Sequence, residues 1–360
     1  MDSLVQEALR NAGQAEESRP KMSFEEQKVR IAVVGVGGAG TNTVNRLKTM
    51  GIQSASTIAI NTDANHLKMI SADKRVLIGS KMTRGLGAGG FPEIGMKAAE
   101  SSADELRKML ENTELVFITA GMGGGTGTGA APVIARLAKE AGAITVGMVT
   151  YPFALERARL EKADWGLDAL RDNCDTVVVI DNNRLVSYVP NLPMNQAFAV
   201  ADTLVARSVK GISDTVTLPS LMNIDFADLR MIMGNAGVAA ISIGEGKGNN
   251  RVKDAVESTL KHPLLDVEYS GSKGALLLIS GGPQLSLGDA VSIGEGITES
   301  FDNNAYVKWG ARIDPSLGDR VVVTAIATGV TSPHILGRQD AQRTRQRETL
   351  DGIGLKAINF

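Results

Sequence analysis

Between Gly121 and Gly129 the chain carries six glycines in nine residues, Gly121-Met122-Gly123-Gly124-Gly125-Thr126-Gly127-Thr128-Gly129. An apolar run (115–119) leads straight into them, and a segment of helical character opening with Ala130 and Ala131 follows. A strand-to-helix turn stripped of side chains exposes main-chain N–H groups that can close on an anion, and the helix N-terminus adds partial positive charge. A second turn of this kind, Gly35-Val36-Gly37-Gly38-Ala39-Gly40-Thr41-Asn42, follows the apolar run 31–34 and precedes a helical segment holding Val44 and Leu47. Gly85-Leu86-Gly87-Ala88-Gly89-Gly90 is a third source of N–H donors. Two such turns in one sheet make adjacent phosphate cradles, and all three together suit a triphosphate. A flexible linker would favour Ser over Thr126 and Thr128 and would not sit so tightly between strand and helix. No G-x-x-x-x-G-K-[ST] occurs, which excludes an ordinary P-loop.

The surroundings predict an α/β chain. Buried-strand runs at 31–34, 57–60, 115–119, 144–149 and 176–180 alternate with helical periods such as Leu160, Ala163, Leu167 and Leu170. That alternation implies a parallel, Rossmann-like sheet covered on both faces. Phe198, Ala201, Val205, Val209 and Ile212 mark one long helix over about 195–218, weakened at Gly211 and ended by Pro219. Strand-like runs at 238–243, 275–280 and 320–328 flank two helical stretches and read as a smaller α/β domain. The expected division is a flexible arm (1–28), a nucleotide-binding domain (29–194), a central helix (195–219), a second domain (220–330) and a flexible tail (331–360).

Composition narrows the function classes. Lys plus Arg (38) nearly cancels Asp plus Glu (40), against a surface built for nucleic acid. The single cysteine, Cys174, rules out an intramolecular disulfide and thiolate clusters, and fits a reducing cytoplasm. The chain has no run of 18 apolar residues and no signal-like start, so the expectation is a soluble cytoplasmic protein that reaches a membrane only through a partner. His66, His262 and His334 are scattered and support no metal site; Trp165 and Trp309 lack base-stacking spacing; Met231 and Met233 are expected in the core.

Gly35 to Gly40 also satisfies G-x-G-x-x-G, and Asp63 stands 23 residues after Gly40, which suits the ribose acid of a dinucleotide fold. An NAD- or FAD-dependent oxidoreductase is therefore one reading, but it leaves the 121–129 run without a purpose. Phe198 and Asp202 lie one helical turn apart, so a ring could stack on a base while a carboxylate accepts its N–H donors. Guanine offers two donors on that edge and adenine does not. Phe198 taken alone reads more readily as core packing than as a base contact.

The run 123–129 resembles the tubulin/FtsZ signature. Residues 35–42, Asn61-Thr62-Asp63-Ala64, 85–90 and Asn223-Ile224-Asp225-Phe226-Ala227-Asp228 resemble that family's other nucleotide loops in the same order, over about residues 29–330. The resemblance is closer to FtsZ than to tubulin, and within FtsZ to an archaeal paralogue. It implies a tubulin/FtsZ-like GTPase domain and a cell-division role at the division site. It further implies GTP or GDP, carried with Mg²⁺, held by Gly37, Gly38, Ala39, Gly40, Asn42, Asn61, Asp63, Ala88, Gly89, Gly90, Gly121, Gly123, Gly124, Gly125, Thr126, Gly127, Thr128, Gly129, Glu156, Arg159, Asn182, Phe198 and Asp202. Glu156-Arg157-Ala158-Arg159 is one residue shorter than the common spacing, so Arg157 competes with Arg159, and a solvated charge cluster remains open.

The resemblance assigns hydrolysis to Asp225 and Asp228, with Asn223, just beyond the long helix. A helix of about 24 residues spans about 36 Å, so these acids cannot reach phosphates held near its start. They would act on a neighbour's nucleotide, and a head-to-tail contact repeated without closure gives a filament. Asp225 or Asp228 also reads as the cap of a helix beginning near Ala227. A GTP-binding regulator that does not polymerise is a third class, against which the retained Asp225 and Asp228 speak. Arg338, Arg343, Arg345 and Arg347 read as a solvated spacer, with contact to an anionic surface as the alternative. The apolar end, Leu350 to Phe360, reads as a docking peptide for a membrane-tethering adaptor, SepF-like rather than FtsA.

Overall fold

The computed structural model describes residues 29–217, 221–222, 224–234, 237–265 and 267–331. The expected arm, Pro219, Asn223 and the tail beyond Thr331 lie outside the described residues.

Six parallel strands form the first sheet: β1 (Ile31–Val36), β2 (Ser56–Asn61), β3 (Lys74–Leu77), β4 (Leu115–Gly121), β5 (Ile144–Tyr151) and β6 (Thr176–Asp181), in the order β3-β2-β1-β4-β5-β6. All six residues of β1 are buried, as a strand covered on both faces requires. The connecting helices are α1 (Gly37–Thr49), α2 (Ala64–Lys68), α3 (Ser80–Thr83), α4 (Pro92–Glu100), α5 (Ala103–Leu110), α6 (Thr126–Glu140), α7 (Arg157–Asn173) and α8 (Asn182–Tyr188). Strand order reverses direction of growth between β1 and β4, and crevices at such a switch point collect ligands at the carboxyl ends of the strands. The turns leaving β1 and β4 are the two glycine runs, brought side by side by the register Ile31↔Leu115 to Val36↔Ala120.

The central helix, α9 (Met194–Thr217), has 24 residues, one residue earlier at its start than its periodicity implies. Beyond it lie α10 (Phe226–Met233), β7 (Gly237–Lys247), α11 (Arg251–Leu260), β8 (Gly274–Gly281), α12 (Leu287–Thr298), β9 (Tyr306–Ile313) and β10 (Arg320–Thr328). The second sheet runs β7-β10-β8-β9 and joins the first through a short parallel contact of β7 with β6. The strands β3 and β9 escape the sequence pattern for one reason. Both are edge strands, partly exposed and rich in Lys and Arg, so neither shows the apolar run that marks a buried strand.

Leu204, Val205, Val209 and Ile212 of α9 share one buried cluster with Ile31 and Val33 of the first sheet and with Ile241, Leu276 and Ile326 of the second. Burying each such side chain contributes about 1.5–3 kcal/mol, so α9 is bound into both halves. Gly211 costs the helix some propensity, but a Cβ there would lie 2.8 Å from Thr324 Oγ1, and its absence lets β10 approach.

Several glycines serve packing as well as the cradle. A Cβ on Gly40 would sit 2.0 Å from the Thr119 carbonyl oxygen, and one on Gly129 would sit 1.9 Å from that of Pro92. These gaps let α1 lie directly on β4 and let α4 nest across α6. Gly129→Ala is expected to lower stability by about 1–3 kcal/mol through overpacking, read as a lower melting temperature of the nucleotide-free protein. Gly38, whose Cβ would meet nothing within 4 Å, is the control, and Gly38→Ala should leave the melting temperature unchanged.

Candidate active site

Three backbone segments converge at the carboxyl ends of β1 and β4. Gly38, Ala39 and Asn42, in the first turns of α1, are exposed toward the crevice, while Gly37 and Gly40 are buried beneath them. The first turn of α6 begins at Thr126, and its leading N–H groups have no partner within the helix. The Gly129 N–H is already used, donating to the Gly125 carbonyl at 3.0 Å. Thr128 and Gly129 are buried, so both lie below the surface of the cradle. Gly123 has a φ of 87°, the left-handed region where a side chain is strained, and a Cβ there would come within 2.7 Å of the Arg159 carbonyl oxygen. The third glycine segment closes the far side, with Gly89 and Gly90 exposed and Ala88 buried. Lys162 Nζ donates to the Gly90 carbonyl at 2.6 Å and fixes that segment against α7.

Polar side chains lock the floor. Thr62 and Thr126 share a hydroxyl–hydroxyl hydrogen bond of 2.7 Å that ties the end of β2 to α6. Asn61 is buried and its Oδ1 accepts from the Thr62 N–H at 2.8 Å. Asp63 caps α2, its carboxylate accepting from the N–H groups of Asn65 (2.9 Å) and His66 (3.0 Å). This capping occupies the acid that a dinucleotide fold would turn to a ribose. His66 is half-buried at the edge of the floor, its Nδ1 3.3 Å from Thr41 Oγ1 and 3.4 Å from Asn61 Nδ2.

Beside the cradle opens a cleft of 270 Å³ lined by Ala39, Gly121, Glu156, Arg159, Asn182, Phe198 and Asp202, among others. Arg159 lines it, not Arg157. Arg159 pairs with Glu156 and donates from Nε to the Gly123 carbonyl at 3.3 Å; Glu156 also accepts from the Phe153 N–H at 3.1 Å. The Phe198 ring is 39% exposed and meets Phe153 edge-on at 6.0 Å, so it is wall rather than core. Asp202 accepts from Thr43 Oγ1 at 2.8 Å. Burial pushes its carboxyl above the usual carboxylate range, partly offset by Thr43 and by the charge of Arg46. A half-exposed aromatic face beside a desolvated acceptor is a receptor for a flat base with N–H donors.

The acids beyond α9 do not join this cleft. Asp225 is the N-cap of α10, accepting from the Asp228 N–H at 2.7 Å, as the capping alternative anticipated. Asp228 pairs with Lys308 of β9 at 3.0 Å, a partner the sequence reading missed because β9 was not visible as a strand. Asn223 lies outside the described residues. Of the two methionines expected in the core, Met233 is buried, but Met231 is 54% exposed because it falls on the outward face of α10.

A doubly wound sheet with adjacent glycine cradles and a base-sized cleft defines a purine-nucleotide-binding protein with a second domain carried on one helix. Residues 30–190 match the family described as Tubulin/FtsZ family, GTPase domain, and residues 237–331 match FtsZ family, C-terminal domain. Cell division protein FtsZ 2 of Methanocaldococcus jannaschii is 58% identical, covering 86% of this chain and 83% of its own length. FtsZ 2 of Halobacterium salinarum is 50% identical over 99% of this chain and 91% of its own. An empty FtsZ dimer of M. jannaschii superposes with a TM-score of 0.80 at 44% identity, covering 91% of this chain and 93% of that one. CetZ2 of Haloferax volcanii, solved as a GTPγS-bound protofilament, shares the fold at a TM-score of 0.73 and 23% identity, covering 90% and 99%. The chain belongs to the FtsZ family and is a GTPase of the tubulin/FtsZ type. The oxidoreductase reading falls with that membership.

Below α9, a separate cavity of 350 Å³ is lined by Tyr188, Thr203, Arg207, Ile243 and His262. Burial pushes His262 down to about 4. The folded protein therefore holds this ring neutral where the unfolded chain, near 6.5, already takes up a proton. Its contribution to stability is complete above about pH 6.5 and is lost as pH falls toward 4. Between pH 7 and pH 5 the wild type is expected to lose about 2 kcal/mol relative to His262→Gln, measured as the change in the difference of their melting temperatures.

Proposed function

We propose that the chain binds GTP in the crevice at the start of α9, stacks head to tail on copies of itself, and hydrolyses the nucleotide at each junction in a cell-division filament. The observation that carries this reading is that about 23–29 Å of α9 runs from Asp202 and Phe198 in the cleft to Thr217, with Asp225 and Asp228 beyond that end. A single copy cannot bring the acids to its own nucleotide. A second copy docked on the cradle end can.

The exposed apolar side chains support the same contact. Leu86, Phe91, Leu155 and Met194 stand around the cradle end, and Leu221, Met222, Met231 and Tyr306 stand around the acidic loop. Complementary apolar rims at opposite ends suit an open, unidirectional assembly. The relatives include an FtsZ dimer and a CetZ protofilament.

In this mechanism Phe198 stacks on guanine while Asp202, with Asn182, accepts the donors of its Watson–Crick edge. Arg159 and Glu156 flank the ribose and phosphates. The N–H groups of Gly38 and Ala39, of Gly89 and Gly90, and of the first turn of α6 face the phosphate oxygens, with Thr126 and Asn61 securing the floor. Asp225 and Asp228 of the upper subunit, with Asn223, orient a water against the γ-phosphorus. Its oxygen forms the new P–O bond as the bond to the β–γ bridging oxygen breaks, leaving GDP and phosphate. Mg²⁺ would accompany the nucleotide's phosphates in the glycine cradle. When bound it neutralises charge on the phosphates.

No helix among the described residues is long and apolar enough to cross a membrane. The filament acts in the cytoplasm at the division site, tethered by an adaptor that takes residues 350–360. In Asp228→Ala, GTP binding and assembly should persist while turnover falls about a hundredfold or more. Wild-type turnover in that variant would remove the shared site.

A further inference from the structure

The acidic loop is fastened to the edge strand β9 by three contacts, each from a different kind of group. The N–H groups of Leu221 and Met222 both donate to the Ala311 carbonyl, at 3.0 and 3.3 Å. Ile224 packs over Gly310, where a Cβ would lie 2.9 Å from Ile224 Cδ1 and from the Met222 carbonyl oxygen. Lys308 lies two residues before Gly310 and so projects from the same face of the strand. Its ammonium reaches Asp228 Oδ1 at 3.0 Å.

The pair is unequally exposed, with 16% of the Asp228 side chain and 42% of the Lys308 side chain open to solvent. Asp225 accepts from the Asp228 main-chain N–H, while the Asp228 carboxylate itself is paired with Lys308. An ammonium has three donors, and Asp228 takes one. The Tyr306 ring, 43% exposed, lies beside it with its centroid 6.0 Å from Nζ, and 42% of the Lys308 side chain is open to solvent. The Asp228 carboxylate also holds the Lys308 ammonium above the usual lysine range.

We propose that Lys308 is a positioning residue of the shared site: it fixes the Asp228 carboxylate toward the docking face and places a positive charge beside the neighbouring subunit's terminal phosphate. The proposal rests on the shared-site reading above and adds a residue to it. Without Lys308 the carboxylate swings among rotamers and faces the γ-phosphate with no counter-charge. Both effects slow the chemical step without touching the nucleotide pocket of the same subunit.

The test uses the full-length chain. Lys308→Met should lower GTP turnover about tenfold or more, with GTP affinity and the critical concentration for sedimentation changed by no more than about twofold. Lys308→Arg keeps the charge and should recover most of the turnover. Turnover of Lys308→Met close to wild type would overturn the proposal. So would an Arg variant as slow as the Met variant with a raised critical concentration in both, because that marks general damage to the contact.

Mixing separates the two readings. Asp202→Ala subunits have a damaged purine pocket and an intact acidic face, and Lys308→Met subunits have the reverse. Their mixture should hydrolyse GTP faster than the sum of the two alone, as should a mixture of Asp228→Ala with Asp202→Ala. Complementation by the Asp228 pair but not the Lys308 pair would sink Lys308 and leave the shared site standing. Failure of both pairs would sink the shared site and Lys308 with it.

Discussion

The rest of the molecule depends on α9 being buried from both sides. Its apolar positions belong to a single cluster that runs from β1 of the first sheet to β8 and β10 of the second. Polar ties reinforce it: Asp202 to Thr43 near its start, and Asp214 to Ser54 near its end. A helix held this way is a spacer of fixed length. The purine wall stands at one end and the acids beyond the other. Under the function proposed above, hydrolysis waits on docking, because the second half of the active site would arrive with the next subunit. Assembly and chemistry would then be consecutive parts of one event, and the free subunit would hold its nucleotide without consuming it.

Glycine does two jobs at the cradle. At Gly38, Gly89 and Gly90 the bare main chain faces the crevice and offers N–H groups. At Gly40 and Gly129 the missing side chain lets a helix lie on a carbonyl of the next element, 2.0 and 1.9 Å from where a Cβ would be. The two uses support one another, since N–H donors grip an anion only if the elements beneath them cannot shift. The Thr62–Thr126 hydroxyl pair and the Lys162 bond to Gly90 extend the same rigidity across the three segments.

The five buried parallel strands, the long helix and both glycine cradles were legible in the sequence, because each is written in a local pattern: apolar runs, a period of 3.6, and glycine between strand and helix. What was not legible was anything defined by an edge or by a distant partner. β9 hides because an edge strand carries Lys308 and Arg312 where a central strand would carry Val, and with it the Lys308–Asp228 pair is lost to view. The contacts of His66 were not legible because Thr41 and Asn61 belong to other turns of the chain. The choice of Arg159 over Arg157 for the cleft follows from the phase of α7 against Gly123, which spacing alone left open. The capping of α10 by Asp225 was written locally, in an acid followed by a short helical stretch.

The central claim is that no single chain contains a complete hydrolytic site. The measurement that reaches it most directly is GTP turnover per subunit across a dilution series spanning the assembly threshold, with nucleotide saturating throughout. The account predicts that turnover per chain is close to nil in dilute protein and rises steeply once junctions form. A rate per chain that stays constant from the most dilute sample to the most concentrated would contradict it.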